Sequence, residues 1–213
     1  MVAAFGTGAE CLTRMSHGPG FCPAHVPPDE VNDVTICLLA FLLWPTDPGQ
    51  DSTHSEVQAV PSIDINRYLG TWYEIARFPN RFQESCAGEV SATYSLYDDG
   101  DIRVLNRCMK DNGEMTEAEG RARRASVDGP NSKLKVRFAP AFLAFLPFVW
   151  GDYWVIDIAP DYSYAVVGEP RREYLWILSR TPVLDEQVLG GIIARIREQG
   201  YDVSRLVRTR QTH

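Results

Sequence analysis

The chain has 213 residues and a formal charge of −7, concentrated at one end: residues 1–60 hold seven acidic residues and one basic, Arg14, and residues 61–213 are within one charge of neutral. A near-neutral main segment has no electrostatic footprint for nucleic acid. The four histidines stand at 17, 25, 54 and 213, so residues 55–212 lack the commonest general base and metal ligand, which argues against hydrolase, zinc and His-ligated haem chemistry.

Residues 1–33 are rich in Gly, Pro and small side chains ("GPGFCPAHVPP") without periodicity, and read as disordered. "VTICLLAFLLW" at 34–44 is too short to span a bilayer and has the length of a signal-peptide core. Its flanks, Asp29, Glu30 and Asp33, carry the wrong charge, which points to a start other than Met1. Cleavage is expected soon after Trp44 or after Ala59. No cysteine follows the apolar run until Cys86, so a lipid-anchor signature is absent from this sequence. Residues 1–60 are therefore expected to be an extension, and 61–213 the folded domain.

Strand signals then recur at short intervals. "GTWYEIARF" (70–78) puts Trp72, Glu74, Ala76 and Phe78 on one face by period-two alternation. "EVSATYSLY" (89–97) and "DIRVLNRC" (101–108) flank "DDG", a hairpin turn. Segments 116–127, 133–138, 153–159, 164–170 and 174–180 complete eight short strands, joined mainly by turns. The arginines of "RARR" (121–124) read as a solvated strand face or turn. Eight such strands predict an antiparallel meander, closed as a barrel or stacked as a sandwich. From Thr181 the period changes. Val188, Leu189, Ile192, Ile193 and Ile196 predict an amphipathic helix starting at Thr181–Pro182 and stopping near Gly200. "DVSRLVRT" (202–209) suggests a final short strand. Cys86 and Cys108 flank the first hairpin and are either a disulfide or two buried thiols.

Three motifs in order carry a family resemblance. They are Gly70-Thr71-Trp72-Tyr73, the turn Asp161-Tyr162-Ser163-Tyr164, and Arg180 in "LWILSRTP". Over residues 62–211 the chain resembles the lipocalins, and among them the branch of bacterial outer-membrane lipoprotein lipocalins and apolipoprotein D. The resemblance implies an all-β fold: an eight-stranded antiparallel up-and-down barrel with one C-terminal helix packed outside. It implies that Arg180 lies over the Trp72 ring at the closed end, where these signature residues are structural. It also favours a Cys86–Cys108 disulfide.

A barrel of eight strands is wide enough to hold a small ligand, which accounts for a Trp and a Glu on one strand face. The resemblance places Asn106, Tyr153 and Trp176 at lining positions. Strand parity adds Glu74, Val104, Leu134, Val136, Val155 and Leu178. The apolar stretch 141–150 with Phe142, Phe145, Phe148 and Trp150 is expected at the open end, as a lid over the mouth or as a membrane-docking or dimer-forming loop. Burying about twelve methylenes would supply ~10 kcal/mol gross, enough for micromolar binding of a single-chain lipid after association costs. The function expected is a lipid-binding protein of the cell envelope, in the periplasm or at the outer membrane, holding a fatty acid, lysophospholipid or similar apolar ligand. Its expected partners are the lipid, a membrane surface and a second copy of itself. No catalytic residue, metal or cofactor is expected. The alternatives are a lipocalin-fold enzyme, for which Glu74 and Asp157 are the inward carboxylates, and an interaction module that dimerises through 141–150.

Overall fold

The first strand sets the geometry. In the computed structural model, which describes residues 55–212, β1 runs from Gly70 to Arg77. It is followed by β2 (Gly88–Leu96), β3 (Ile102–Met109), β4 (Met115–Arg124), β5 (Lys133–Arg137), β6 (Gly151–Ile158), β7 (Tyr164–Gly168) and β8 (Leu175–Ser179). Each strand pairs antiparallel with the next, and β1 pairs with both β2 and β8, so the sheet closes on itself. Closure removes free edges. A short β9 (Val207–Arg208) pairs with β1 at Ala76 and Arg77. There β1 and β2 part, and Gln211 bridges them by donating to the carbonyls of Glu74 and Val90. The expected disordered segment 1–33, the signal-like stretch 34–44 and the rest of the expected extension up to His54 lie outside the described residues. Val57 and Val60 belong to the barrel unit: Val57 is buried, and the Val60 amide donates to Val155.

Two apolar clusters follow from the alternation. Trp72, Ala92, Tyr94, Val104, Ala122, Leu134, Val155, Val167 and Leu178 fill the lower barrel. Ile75, Phe78, Ile156, Val166, Ile177 and the helix residues Leu189, Ile192 and Ile196 pack on the outer wall. Helix α2 spans Glu186–Glu198 rather than starting at Thr181, because the Asp185 carboxylate caps it, accepting from the amides of Gln187 and Val188 at 2.9 and 3.0 Å. Val188 falls outside the buried stripe. Tyr201, just past the helix, exchanges hydrogen bonds with the Glu169 backbone. Its hydroxyl lies where a Cβ on Gly168 would stand, which is why that position takes glycine.

Two of the register shifts among the described strands correct the strict alternation. In β1 the register slips between Glu74 and Ala76. Ile75 and Ala76 therefore both face the outer wall, Arg77 turns inward opposite Trp176, and Phe78 packs outside against Tyr201. Ala76 and Phe78 do not share the face of Trp72. In β6 a slip between Val155 and Asp157 turns Asp157 outward, where it accepts from Arg195 of α2 at 2.8 Å. Asp157 is not a cavity carboxylate.

Candidate functional site

The closed end is built from the three motifs. Arg180 stands 3.8 Å over the Trp72 ring, and its guanidinium donates to the carbonyls of Thr71 and Arg67. The Trp72 indole donates to the Tyr68 carbonyl at 2.8 Å, at the end of the single helical turn α1 (Ile65–Tyr68). Gly70 has φ +92°, a conformation that resists a side chain. In the β6–β7 turn Asp161 accepts from the Ser163 amide, and the Tyr162 hydroxyl accepts from the Asp64 amide at 2.7 Å, tying α1 to the turn. Asn131 adds a two-way bond to the Ile63 backbone. Tyr73 faces outward beside these contacts, between Ser91 and Ser179.

Above this floor the interior changes character. Val104, Leu134, Val155 and Leu178 are sealed in the lower core. Asn106, Val136, Tyr153 and Trp176 also lie on inward registers, yet remain partly exposed. These inward yet partly exposed positions outline an upper chamber above the sealed core. Its β4 wall is low: Thr116, Ala118 and Gly120 stand on the inward register opposite Cys108, Asn106 and Val104. Phe138 lies over Gly120, where any Cβ would strike its ring. A separate recess of about 490 Å³ opens at the closed end between Ile65, Asp99 and Arg124. Its floor of Ile102, Ala122 and Leu134 is sealed, so it does not lead into the chamber.

The boundary between floor and chamber is a chain of hydroxyls. Tyr153 is bonded to Tyr68 and to Tyr94, each at 2.8 Å. Burial pushes the Tyr68 and Tyr153 phenols well up and Tyr94 up to about 12, so all three remain neutral donors and acceptors.

At the mouth Glu74 does not line open space. It is 2% exposed, and both oxygens are taken. Oε1 accepts from Arg77 at 2.9 Å and from the Thr209 hydroxyl, and Oε2 accepts from Gln83 at 2.6 Å. Gln83 in turn accepts from the Trp176 indole at 2.8 Å. Gln83 lies on a turn, Arg81–Gln83, held by the Cys86–Cys108 disulfide with its Cα atoms 5.6 Å apart. Arg77 and Gln83 escaped the reading from alternation. The bulge conceals the first, and the second stands on a loop.

The rim is apolar. Phe142, Phe145 and Phe148 are 73, 78 and 80% exposed on the β5–β6 loop; Phe138 at the start of that loop, Phe82 between β1 and β2, and Met115 at the first residue of β4 are exposed as well. Phe142, Phe145 and Phe148 are thus not buried over the mouth as a lid. Trp150 differs from the three phenylalanines. It lies against the outer wall, under Arg123 and Arg137, with its indole donating to Ala144 at 2.8 Å. Arg123 of the "RARR" run is thus engaged, Arg121 pairs with Asp99 and Asp101, and Arg124 donates to two loop carbonyls.

A closed antiparallel barrel with a plugged floor, a partly exposed upper interior and an external C-terminal helix is the architecture of β-barrels that can hold one small molecule. The lipocalin-like domain model matches residues 63–211; the chain belongs to the lipocalin family. It is 45% identical over 158 residues to temperature-induced lipocalin-1 of Arabidopsis thaliana, covering 74% of this chain and 84% of that one. It is 42% identical over 156 residues to the outer membrane lipoprotein Blc of Escherichia coli K12, covering 73% of this chain and 83% of that one. Mouse apolipoprotein D is 29% identical over 194 residues, covering 84% and 97%. Insecticyanin of Manduca sexta shares the fold, with a TM-score of 0.57 at 21% identity over 74% of this chain and 85% of that one. Members of the family bind small hydrophobic ligands.

Proposed function

We propose that this lipocalin holds a single-chain lipid, a fatty acid or lysophospholipid, in its upper chamber, and takes it up from a lipid surface on which its rim docks. The observation that carries this reading is the division of the interior: sealed below Tyr153, and open around Asn106, Val136, Tyr153 and Trp176. Such a mixture of aromatic and apolar walls with few polar groups suits an amphiphile. The rim supports the docking half. Three phenylalanines at 73–80% exposure gain nothing in water but bury readily among acyl chains. Likeness to an outer membrane lipoprotein supports a place in the cell envelope. An enzymatic reading has less to stand on, because both oxygens of Glu74 are occupied and Asp157 faces the helix.

The test follows transfer of a fluorescent fatty acid to the purified chain, either free in solution or preloaded in phosphatidylcholine vesicles. Wild type takes it up from both. Replacement of Phe142, Phe145 and Phe148 by Ser slows uptake from vesicles about tenfold and leaves uptake from solution near wild type. Equal vesicle rates would overturn docking and make the rim a candidate dimer interface. No uptake from either source would overturn lipid holding.

A further inference from the structure

A guanidinium carries five N–H donors, and in Arg77 the fold occupies only one side of the group. Nη1 donates to Glu74 and Thr209 at 2.9 and 3.2 Å. Nε is buried and has no acceptor, and Nη2 makes no hydrogen bond among the described residues. Nε and Nη2 together form the fork that binds a carboxylate or phosphate with two parallel bonds. A buried, charged donor left unpaired is costly, so this edge calls for an acceptor.

Its placement says which acceptor. The β1 bulge turns Arg77 into the mouth, opposite Trp176. Glu74 holds the Nη1 side of the guanidinium, and its own oxygens are saturated by Arg77, Thr209 and Gln83. Among the described residues two other buried donors lack partners, Arg137 Nε and Trp154 Nε1. Both belong to side chains on the outer wall, against Trp150 and within the helix-side cluster. Below Arg77 the chamber presents Asn106, Val136 and Tyr153 and then the sealed apolar core, with no second charged group among these residues. Cationic fork above, apolar walls and neutral hydroxyls below match the polarity of an anionic amphiphile standing head-up.

We infer that the Nε/Nη2 edge of Arg77 is the headgroup site of the chamber, taking the carboxylate or phosphate of a single-chain amphiphile whose tail runs down toward Tyr153. The inference rests on the lipid-holding reading and adds the ligand's charge and orientation to it. Arg77 is here a binding residue, and its bond to Glu74 fixes which edge it offers.

The experiment compares affinities of the delipidated full chain for two pairs of probes with matched tails. These are oleate against oleyl alcohol, and 1-oleoyl lysophosphatidate against 1-oleoylglycerol. Wild type should favour the anionic member by about tenfold or more in at least one pair, as a charge-assisted bidentate contact would give. A preference in the phosphate pair alone names a phospholipid head; in the carboxylate pair alone, a fatty acid. Arg77→Lys keeps a charge beside Glu74 but loses the fork, and should cut the preference severalfold. The double variant Glu74→Gln/Arg77→Gln removes both charges without stranding either, and should bring the ratio near one. If the double variant does not fold, Arg77→Lys decides alone. Equal wild-type affinity within both pairs, or a preference unchanged in the variants, would overturn the assignment while leaving lipid holding in place. Uptake of none of the four probes would overturn both.

Discussion

Tyr153 shows how one residue joins stability to function. Its hydroxyl bridges Tyr68 and Tyr94 and forms the ceiling of the sealed core and the base of the chamber. All three phenols are pushed above their ordinary value of 10, chiefly by burial, and Tyr94 reaches about 12. For an acid whose folded pKa is raised, the folded state retains a proton that the unfolded chain has already released. The stabilisation is complete below pH 10 and is lost as pH rises from about 10 through 12. Alkaline titration followed at 295 nm should therefore show these tyrosines ionising together with unfolding, in a cooperative step above pH 10. Tyr94→Phe should shift that step upward. Smooth, non-cooperative ionisation of every tyrosine while far-UV dichroism stays native would contradict this account of the floor. At this scale the sequence was partly legible. Trp72 and Arg180 stand in motifs, and Asn106, Tyr153 and Trp176 were placed by the family resemblance and lie on inward registers. Arg77 was hidden, because period two gives no sign of the extra residue at Ile75–Ala76, where both side chains are apolar and either suits an outer wall.

At the scale of elements, strands were easier to read than their ends. β-branched and aromatic residues between Gly- and Asp-rich turns mark each hairpin, and the observed strands fall within a few residues of those segments. The helix began five residues late. Pro182 suits a first turn, but Asp185 offers the capping carboxylate and the apolar stripe needs only Leu189 onward. Loop contacts were least legible. The turn carrying Gln83 reaches Glu74 and Trp176 through bonds that no local pattern announces. The Cys86–Cys108 bridge holds that turn to β3 across a separation of 22 residues. In the loop-entropy view such a crosslink contributes about 3 kcal/mol. Reduction, or Cys86→Ser/Cys108→Ser, should lower the urea midpoint accordingly and speed ligand release as Gln83 loosens. An unchanged midpoint would mean that the turn is held by its hydrogen bonds alone.

For the whole molecule, closure decides the outcome. An eight-stranded barrel is just wide enough for bulky side chains to fill, and leaves room for one small ligand where the side chains are small. This chain supplies Trp72, Tyr68 and Tyr94 below, and Thr116, Ala118 and Gly120 above. The rim phenylalanines, the Arg77 fork and the small β4 wall then lie along one path, from a lipid surface into the chamber. The central claim is that the chamber is the ligand site, and native mass spectrometry with oleate tests it most directly on wild type and Ala118→Trp, whose indole would fill the space beside Asn106. The account predicts one oleate per wild-type chain and at least a tenfold weaker adduct in a variant that still folds. An adduct of equal strength in Ala118→Trp would place the ligand elsewhere and contradict the account.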